Sequence, residues 1–292
     1  MRYRFLRFPG GKFKAVTFSY DDGVQRDIRL ASIFNKYGMK GTFNINSSAL
    51  FREPDGKRLR AEEIKEYILD AGHEVAIHGD LHIASAACRP VEAIRDALDC
   101  RMKLESLFGC IIRGMAYPDS GIRNFHNCND YETVRQCLKS LDVAYARTLG
   151  GDNNTFKLPT DWYAWMPTMH HANKNRDEYI DSFLALDEAN FRTAGRFPRL
   201  MYVWGHSFEF GWDEKWGIIE NICERLAGKE DTWYATNIEI YDYVKAYESL
   251  VYSADCRRIY NPTLKKIWID VDGETVTIDS GETIVLSSEA KL

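Results

Sequence analysis

Short runs of β-branched and aromatic residues alternate along this chain with stretches whose apolar residues recur at helical spacing, and the alternation persists through most of its length. The runs predict strands over 14–20, 41–45, 74–77, 111–116, 143–147, 162–169, 200–204 and 232–236. Between them the 3.6-residue period predicts helices over 27–36, 61–71, 89–108, 131–141, 176–186, 215–227 and 238–248. Gly38, Gly72, Gly109 and Gly228 fall near four helix ends, where a left-handed cap favours glycine. A strand-then-helix order of this kind belongs to a parallel sheet wrapped by helices. Periodicity alone does not separate a closed barrel from an open doubly wound sheet. The phosphate-loop patterns of the open form, GxGxxG after the first strand or GxxxxGK before Ser or Thr, are absent. From about Ser253 the pattern changes to period two around Asp-Gly and Ser-Gly turns, which predicts a small β appendage over 253–292 behind an α/β domain over 1–252.

The unusual polar residues fall right after predicted strands. Asp21 and Asp22 follow AVTFSY, His78, Asp80 and His82 follow EVAI, Tyr117 and Asp119 follow GMA, and His206 and Glu209 follow LMYVWG. The carboxyl ends of parallel strands open onto one face, so these segments are expected to meet in one cleft. His78 and His82 are four apart, within reach of a single ion, and a carboxylate from another segment would complete a two-histidine, one-carboxylate set with positions left for water and substrate. Asp22 is the expected carboxylate. Alone, HxxxH and Asp-Asp-Gly are ordinary surface and turn sequences; their joint occurrence after strands favours chemistry.

Taken in order, FSYDDG, HGDLH, AYPDSG, Asp161-Trp162 and VWGHS resemble the five motifs of the polysaccharide deacetylase family, the carbohydrate esterase family 4 hydrolases with the NodB homology domain. The resemblance spans roughly residues 14–240. It implies a distorted (β/α) barrel of about seven strands, a divalent metal held by Asp22, His78 and His82, Asp21 as catalytic base, and His206 as general acid oriented by Asp161. It further implies an oxyanion donor in the backbone near Tyr117. Two positions depart from the family's pattern. The third-motif arginine that pairs with the base is Ala116 here, with Arg113 or Arg123 as candidates to replace it, and the second motif has Gly79 where Ser or Thr is usual, a hydrogen bond that Asp80 could take over.

The 292 residues are 45% hydrophobic and 28% charged, with no long apolar run and a net charge of −5, which gives no reason to propose a nucleic-acid or membrane partner. Seven cysteines form no CxxC pair, and their odd number argues against a disulfide framework. The N-terminal segment lacks the apolar core of a secretory signal, so the expected location is cytoplasmic and the expected substrate a small molecule or oligosaccharide. The ligand types suit Zn²⁺ first, with Co²⁺, Ni²⁺ or Fe²⁺ also compatible. Of the aromatic residues, Trp162, Trp165 and Trp204 read mainly as core, whereas Trp212, in FEFGWDEKWG, is expected to line the cleft beside Tyr117. Glu209 reads either as substrate-binding or as a turn cap. His170 and His171 are adjacent on a strand end, so at most one is expected to face the cleft, with surface placement favoured. The expected activity is metal-dependent removal of an N-acetyl group from a sugar; hydrolysis of another C–N bond, N-formyl or cyclic amide, and non-catalytic carbohydrate binding are the alternatives.

Overall fold

The computed structural model describes residues 3–51, 57–149, 153–211 and 215–286. In chain order these form β1 (Arg4–Arg7), β2 (Lys14–Asp21), α1 (Arg26–Lys36), β3 (Gly41–Ile45), α2 (Ala61–Ile64), β4 (Glu74–Ile77), α3 (Pro90–Phe108), β5 (Gly114–Ala116) and α4 (Tyr131–Ser140). There follow β6 (Tyr145–Arg147), β7 (Met169–His170), α5 (Arg176–Leu184), β8 (Arg199–Gly205), α6 (Trp216–Leu226), β9 (Thr232–Tyr234) and α7 (Asn237–Glu248). Five short strands end the described chain: β10 (Val251–Tyr252), β11 (Arg258–Tyr260), β12 (Ile267–Val271), β13 (Glu274–Ile278) and β14 (Thr283–Val285). The left-handed cap is present at Gly109, which closes α3 with φ 64°.

The main sheet is parallel, in the order β6-β5-β4-β3-β2-β8-β7, with β9 also pairing to β2. All eight residues of β2 are buried, so the alternation of Val16, Phe18 and Tyr20 with Thr17, Ser19 and Asp21 separates two buried faces of the strand, not a core face from solvent. The sheet curls. Arg147, at the end of β6, bridges in parallel to Trp165, and Thr168 N–H donates to Tyr202 O on β8 at 2.8 Å, so the segment between β6 and β7 brings the two edges together. The result is the expected distorted barrel with seven strands on its path. Phe18, Tyr20, Phe34 and Phe43 are fully buried between β2, β3 and α1; removing one such ring typically costs about 3–5 kcal/mol.

The strand expected over 162–169 is corrected. Residues 162–164 form a 3₁₀ turn whose Tyr163 N–H is capped by the Asp161 side chain, and only Met169–His170 pairs with β8. Trp162 and Trp165 bury themselves in edge-to-face contacts with Tyr145, Tyr202 and Tyr241. A tight turn thus meets the same burial demand that made the sequence resemble a strand.

The terminal strands make two antiparallel sheets, β1-β12-β13 and β10-β11-β14. β1, from the start of the chain, pairs with β12 from Arg4↔Val271 to Arg7↔Trp268, so strands from both sides of residue 252 share one sheet. Arg7 is fully buried and bonded to Asp270 and Glu188, and Leu6, Phe8, Ile267 and Ile269 pack with α7 in a second core. Among the described residues no helix is long and apolar enough to cross a membrane.

Candidate active site

The end of β2 explains how two adjacent aspartates serve one cleft. Asp21 is the last strand residue, in register with Asn44, and the chain then breaks sharply: Asp22 has φ 84° and Gly23 φ 60°. The break swings the second carboxylate off the strand's alternation. Asp22 Oδ1 lies 3.7 Å from His78 Nε2 and 3.5 Å from His82 Nε2, and the three ligand atoms fall within 4.8 Å of one another. His78 Nδ1 faces the Ala116 carbonyl at 2.9 Å and donates to it, which leaves the Nε2 lone pair directed at Asp22 and His82. Burial holds the His78 imidazole below its usual pKa, and therefore neutral, as a ligand must be. With one carboxylate, two neutral imidazoles and His82 partly exposed on the outer side, the group fits a divalent ion.

Its loop is tied down from behind. Asp80 accepts Lys103 Nζ on both oxygens at 2.8 and 2.7 Å and the Ser47 hydroxyl at 2.5 Å, while Leu81 N–H donates to Asp96 at 2.6 Å. Gly79 has φ 73°, and a Cβ there would strike the Asp96 carboxylate. The second-motif glycine is therefore a backbone requirement, and Asp80 supplies the loop's polar anchor.

Asp21 is buried beside this cluster. Burial pushes its carboxyl up, but Arg147, then His78, His206 and the Asn44 hydrogen bond, outweigh it and hold the group below the usual carboxylate value. Arg147 Nη2 is 2.5 Å from Asp21 Oδ2, and Asn44 Nδ2 is 2.7 Å from Oδ1. Neither expected arginine is there: Arg113 pairs with Asp242 at 2.7 Å, and Arg123 donates to the Leu149 carbonyl. Arg147 comes from β6, where its Cα is the register partner of Ala116 on β5. Register partners project to the same face, so the arginine has moved over by one strand while keeping its level in the sheet. Its guanidinium also lies over the Trp204 ring, 4.6 Å from the centroid.

Near the same oxygen that Arg147 holds, His206 Nε2 lies 3.8 Å from Asp21 Oδ2, and its Nδ1 is 2.9 Å from Glu209 Oε1. Burial lowers the His206 pKa, but the Glu209 hydrogen bond and the charges of Asp21, Asp22 and Glu209 raise it overall. The carboxylate expected to orient His206 was Asp161, and the geometry corrects this. Asp161 accepts the Tyr131 hydroxyl at 2.5 Å and Tyr163 N–H at 2.9 Å, as the cap of its turn. The orienting carboxylate sits three residues after the histidine instead, on the 3₁₀ turn Ser207–Gly211. The surface placement expected for His170 and His171 is corrected too: β7 ends at His170, and both rings reach Glu209 Oε2, at 3.2 and 3.0 Å. Burial pushes the Glu209 carboxyl up, yet these three histidines hold it far below the usual range.

Tyr117 is fully buried, its N–H donates to Arg147 O at 3.1 Å and its hydroxyl to Tyr163 O at 2.8 Å, so neither group is available to a substrate. Trp212 lies outside the described residues. Asn44 and Arg147 carry no signal in the sequence beyond their position at strand ends of the same sheet face, and Trp204, expected mainly as core, lies instead against the Arg147 guanidinium.

A family model described as polysaccharide deacetylase matches residues 4–145. A Mycobacterium smegmatis structure described as a polysaccharide deacetylase superposes with a TM-score of 0.57 at 18% identity, covering 83% of this chain and 94% of its own. The structure of PuuE allantoinase superposes at 0.56 with 12% identity, covering 80% and 91%. No curated protein sequence matches the chain. At these identities the structures speak for the fold, and it is the first half of the chain, residues 4–145, on a curled parallel sheet carrying Asp21-Asp22 and the histidine pair, that matches the polysaccharide deacetylase family model.

Proposed function

We propose that the protein is a metal-dependent hydrolase that releases acetate from an N-acetylated sugar or oligosaccharide. The observation that carries this is the convergence of Asp22, His78 and His82 beside a buried, arginine-paired Asp21, with His206 Nε2 3.8 Å from the same Asp21 oxygen. A divalent ion held by the three ligands would polarise the scissile carbonyl and bring the pKa of a water toward 7. Asp21, ionised and fixed by Arg147 and Asn44, is placed to accept the proton of the attacking water. His206, its Nδ1–H on Glu209 and its Nε2 toward Asp21, is placed to pass a proton to the departing amine, which leaves poorly as an anion. Zn²⁺ is the first expectation for the ion, with Co²⁺, Ni²⁺ and Fe²⁺ compatible with the same ligands.

The missing third-motif arginine was the reason to consider a non-catalytic binder, and the Arg147 pairing with Asp21 supports the catalytic reading over it. Hydrolysis of a different C–N bond has a specific support, the similar fold of PuuE allantoinase. Acetate, formate and ring-opened product measured over chitooligosaccharides, N-formyl sugars and cyclic ureides, with and without added metal, separates the two. Metal-dependent acetate release is expected; no acetate from any acetylated glycan while a bound ion is present would refute the proposal.

A further inference from the structure

His170, His171 and Glu209 have the composition of a second metal site, with ligand atoms within 4.8 Å of one another. The outer nitrogens of the two rings point elsewhere. His170 Nδ1 accepts the Ala172 N–H at 3.1 Å, so the proton of the neutral ring is on Nε2, aimed at Glu209. A ring that binds metal through Nε2 needs the reverse, an Nδ1–H facing an acceptor, as His78 has at the Ala116 carbonyl. His171 is buried, its Nδ1 lies 3.4 Å from the Tyr20 hydroxyl, and its Nε2 is 3.0 Å from the same Glu209 oxygen. Burial brings its pKa down to about 4, so near neutral pH it too carries one proton. With the Tyr20 O–H donating to Nδ1, that proton also sits on Nε2.

Glu209 therefore has its oxygens divided: Oε2 takes two Nε2–H groups from the His170-His171 pair and Oε1 faces His206 Nδ1. A glutamate has three side-chain torsions and is loose unless held. Gly205 makes the clamp possible, because a Cβ at that position would run into the His171 ring. The glycine of VWGHS is thus explained by a histidine 34 residues earlier, packed against the strand that delivers His206.

We propose that His170 and His171 are positioning residues for the proton donor: they fix Glu209 so that it holds His206 in the Nδ1–H form with Nε2 toward Asp21. This deepens the proposed function and rests on its reading of His206, so the test includes measurements that need no substrate. In the full chain, at a pH above the folded pKa of His206, ¹⁵N-histidine NMR is expected to show His170 and His171 as Nε2–H and His206 as Nδ1–H. In His171→Ala, and in His170→Ala as a second variant should the first fold poorly, His206 is expected to lose its single-tautomer signature. His171→Gln, whose amide N–H reaches the same region, restores it. With an acetylated substrate, kcat falls about 10- to 100-fold in the alanine variants while KM stays within about 2-fold. Zinc titration gives one ion per chain in wild type and variants alike. A second ion lost on changing His170 or His171 would overturn the proposal, as would a His171→Ala protein with lowered Tm but an unchanged His206 tautomer and pH profile. If the NMR result holds and no acetylated sugar is turned over, the reaction assignment fails and the positioning stands.

Discussion

Replacing Arg147 by methionine, which keeps most of the side-chain volume and removes the charge, tests the most consequential departure of this chain from the family's pattern. Both members of the Arg147–Asp21 pair are essentially inaccessible to solvent, and their closest atoms are 2.5 Å apart. At an effective dielectric of about 20 the gross attraction is about 7 kcal/mol, part of which is consumed by removing both charges from water. Taking away one partner of such a pair typically costs about 3–5 kcal/mol, because the other charge is left buried and uncompensated. The sign with pH follows. In wild type Asp21 is held below the ordinary carboxylate value, so its contribution to stability is present above that value and is lost as pH falls through the folded pKa. Without Arg147 burial dominates, the carboxyl moves up, and the variant's deficit is largest at high pH and shrinks as Asp21 takes a proton. Urea unfolding at pH 8 and pH 5 reads the first effect. The acid limb of kcat/KM, which moves to higher pH as the base becomes harder to ionise, reads the second. Bound metal is expected to persist, since the ligands proposed for it are Asp22, His78 and His82. Adding Ala116→Arg to Arg147→Ala puts a guanidinium at the register partner and is expected to recover part of the rate, whereas Arg113→Ala costs under about 1 kcal/mol. An acid limb that stays within about 0.3 pH unit of wild type in Arg147→Met would show that Arg147 does not tune the base.

Asp22→Ala or His78→Ala is expected to abolish stoichiometric metal binding by calorimetry, while Asp21→Asn keeps the ion and loses about 10²- to 10⁴-fold in kcat; metal loss in the Asp21→Asn variant would contradict the division between ligand and base. His206 is raised above the ordinary imidazole value, so a protonated donor persists past pH 6.5 and kcat declines as pH rises through its folded pKa; Glu209→Gln removes the main support and brings that decline to lower pH, which a pH-rate profile checks. Glu74, fully buried and accepting the Tyr145 and Thr42 hydroxyls, is raised by burial to about 7. A carboxyl that is neutral in the fold and ionised when unfolded contributes stability that is complete below pH 4.5 and lost as pH rises through about 7. From pH 5.5 to 8.5 the loss is about 2 kcal/mol. Denaturant midpoints that fall over this range in wild type and much less in Glu74→Gln are expected; parallel curves would refute the assignment.

Which residues would be catalytic neighbours was legible wherever chain order alone brings them together. Asp21 with Asp22, and His78 with His82, are local pairs at strand ends, and a parallel sheet delivers all its strand ends to one face. The orienting carboxylate was legible only as an ambiguity: Glu209 is three residues from His206, a spacing that serves a turn cap as well as a dyad, and only the 3₁₀ turn brings its Oε1 to Nδ1. Arg147 was not legible at all, since nothing in VAYARTLG says that its arginine faces inward toward a carboxylate 126 residues away.

The sequence by itself determined the alternation of strands and helices, the strand-end placement of the aspartates and histidines, and the glycines that close helices. These are local properties, set by side-chain period and backbone sterics over a few residues. Tertiary structure alone decided the partners: Arg147 instead of a residue near Ala116, Glu209 instead of Asp161, a buried His171, and a first strand added to the last sheet. Apart from Glu209, which a local 3₁₀ turn brings to His206, these depend on strand order and register, and register is fixed only when a whole sheet buries its faces together, so distant residues become neighbours for reasons no local pattern contains.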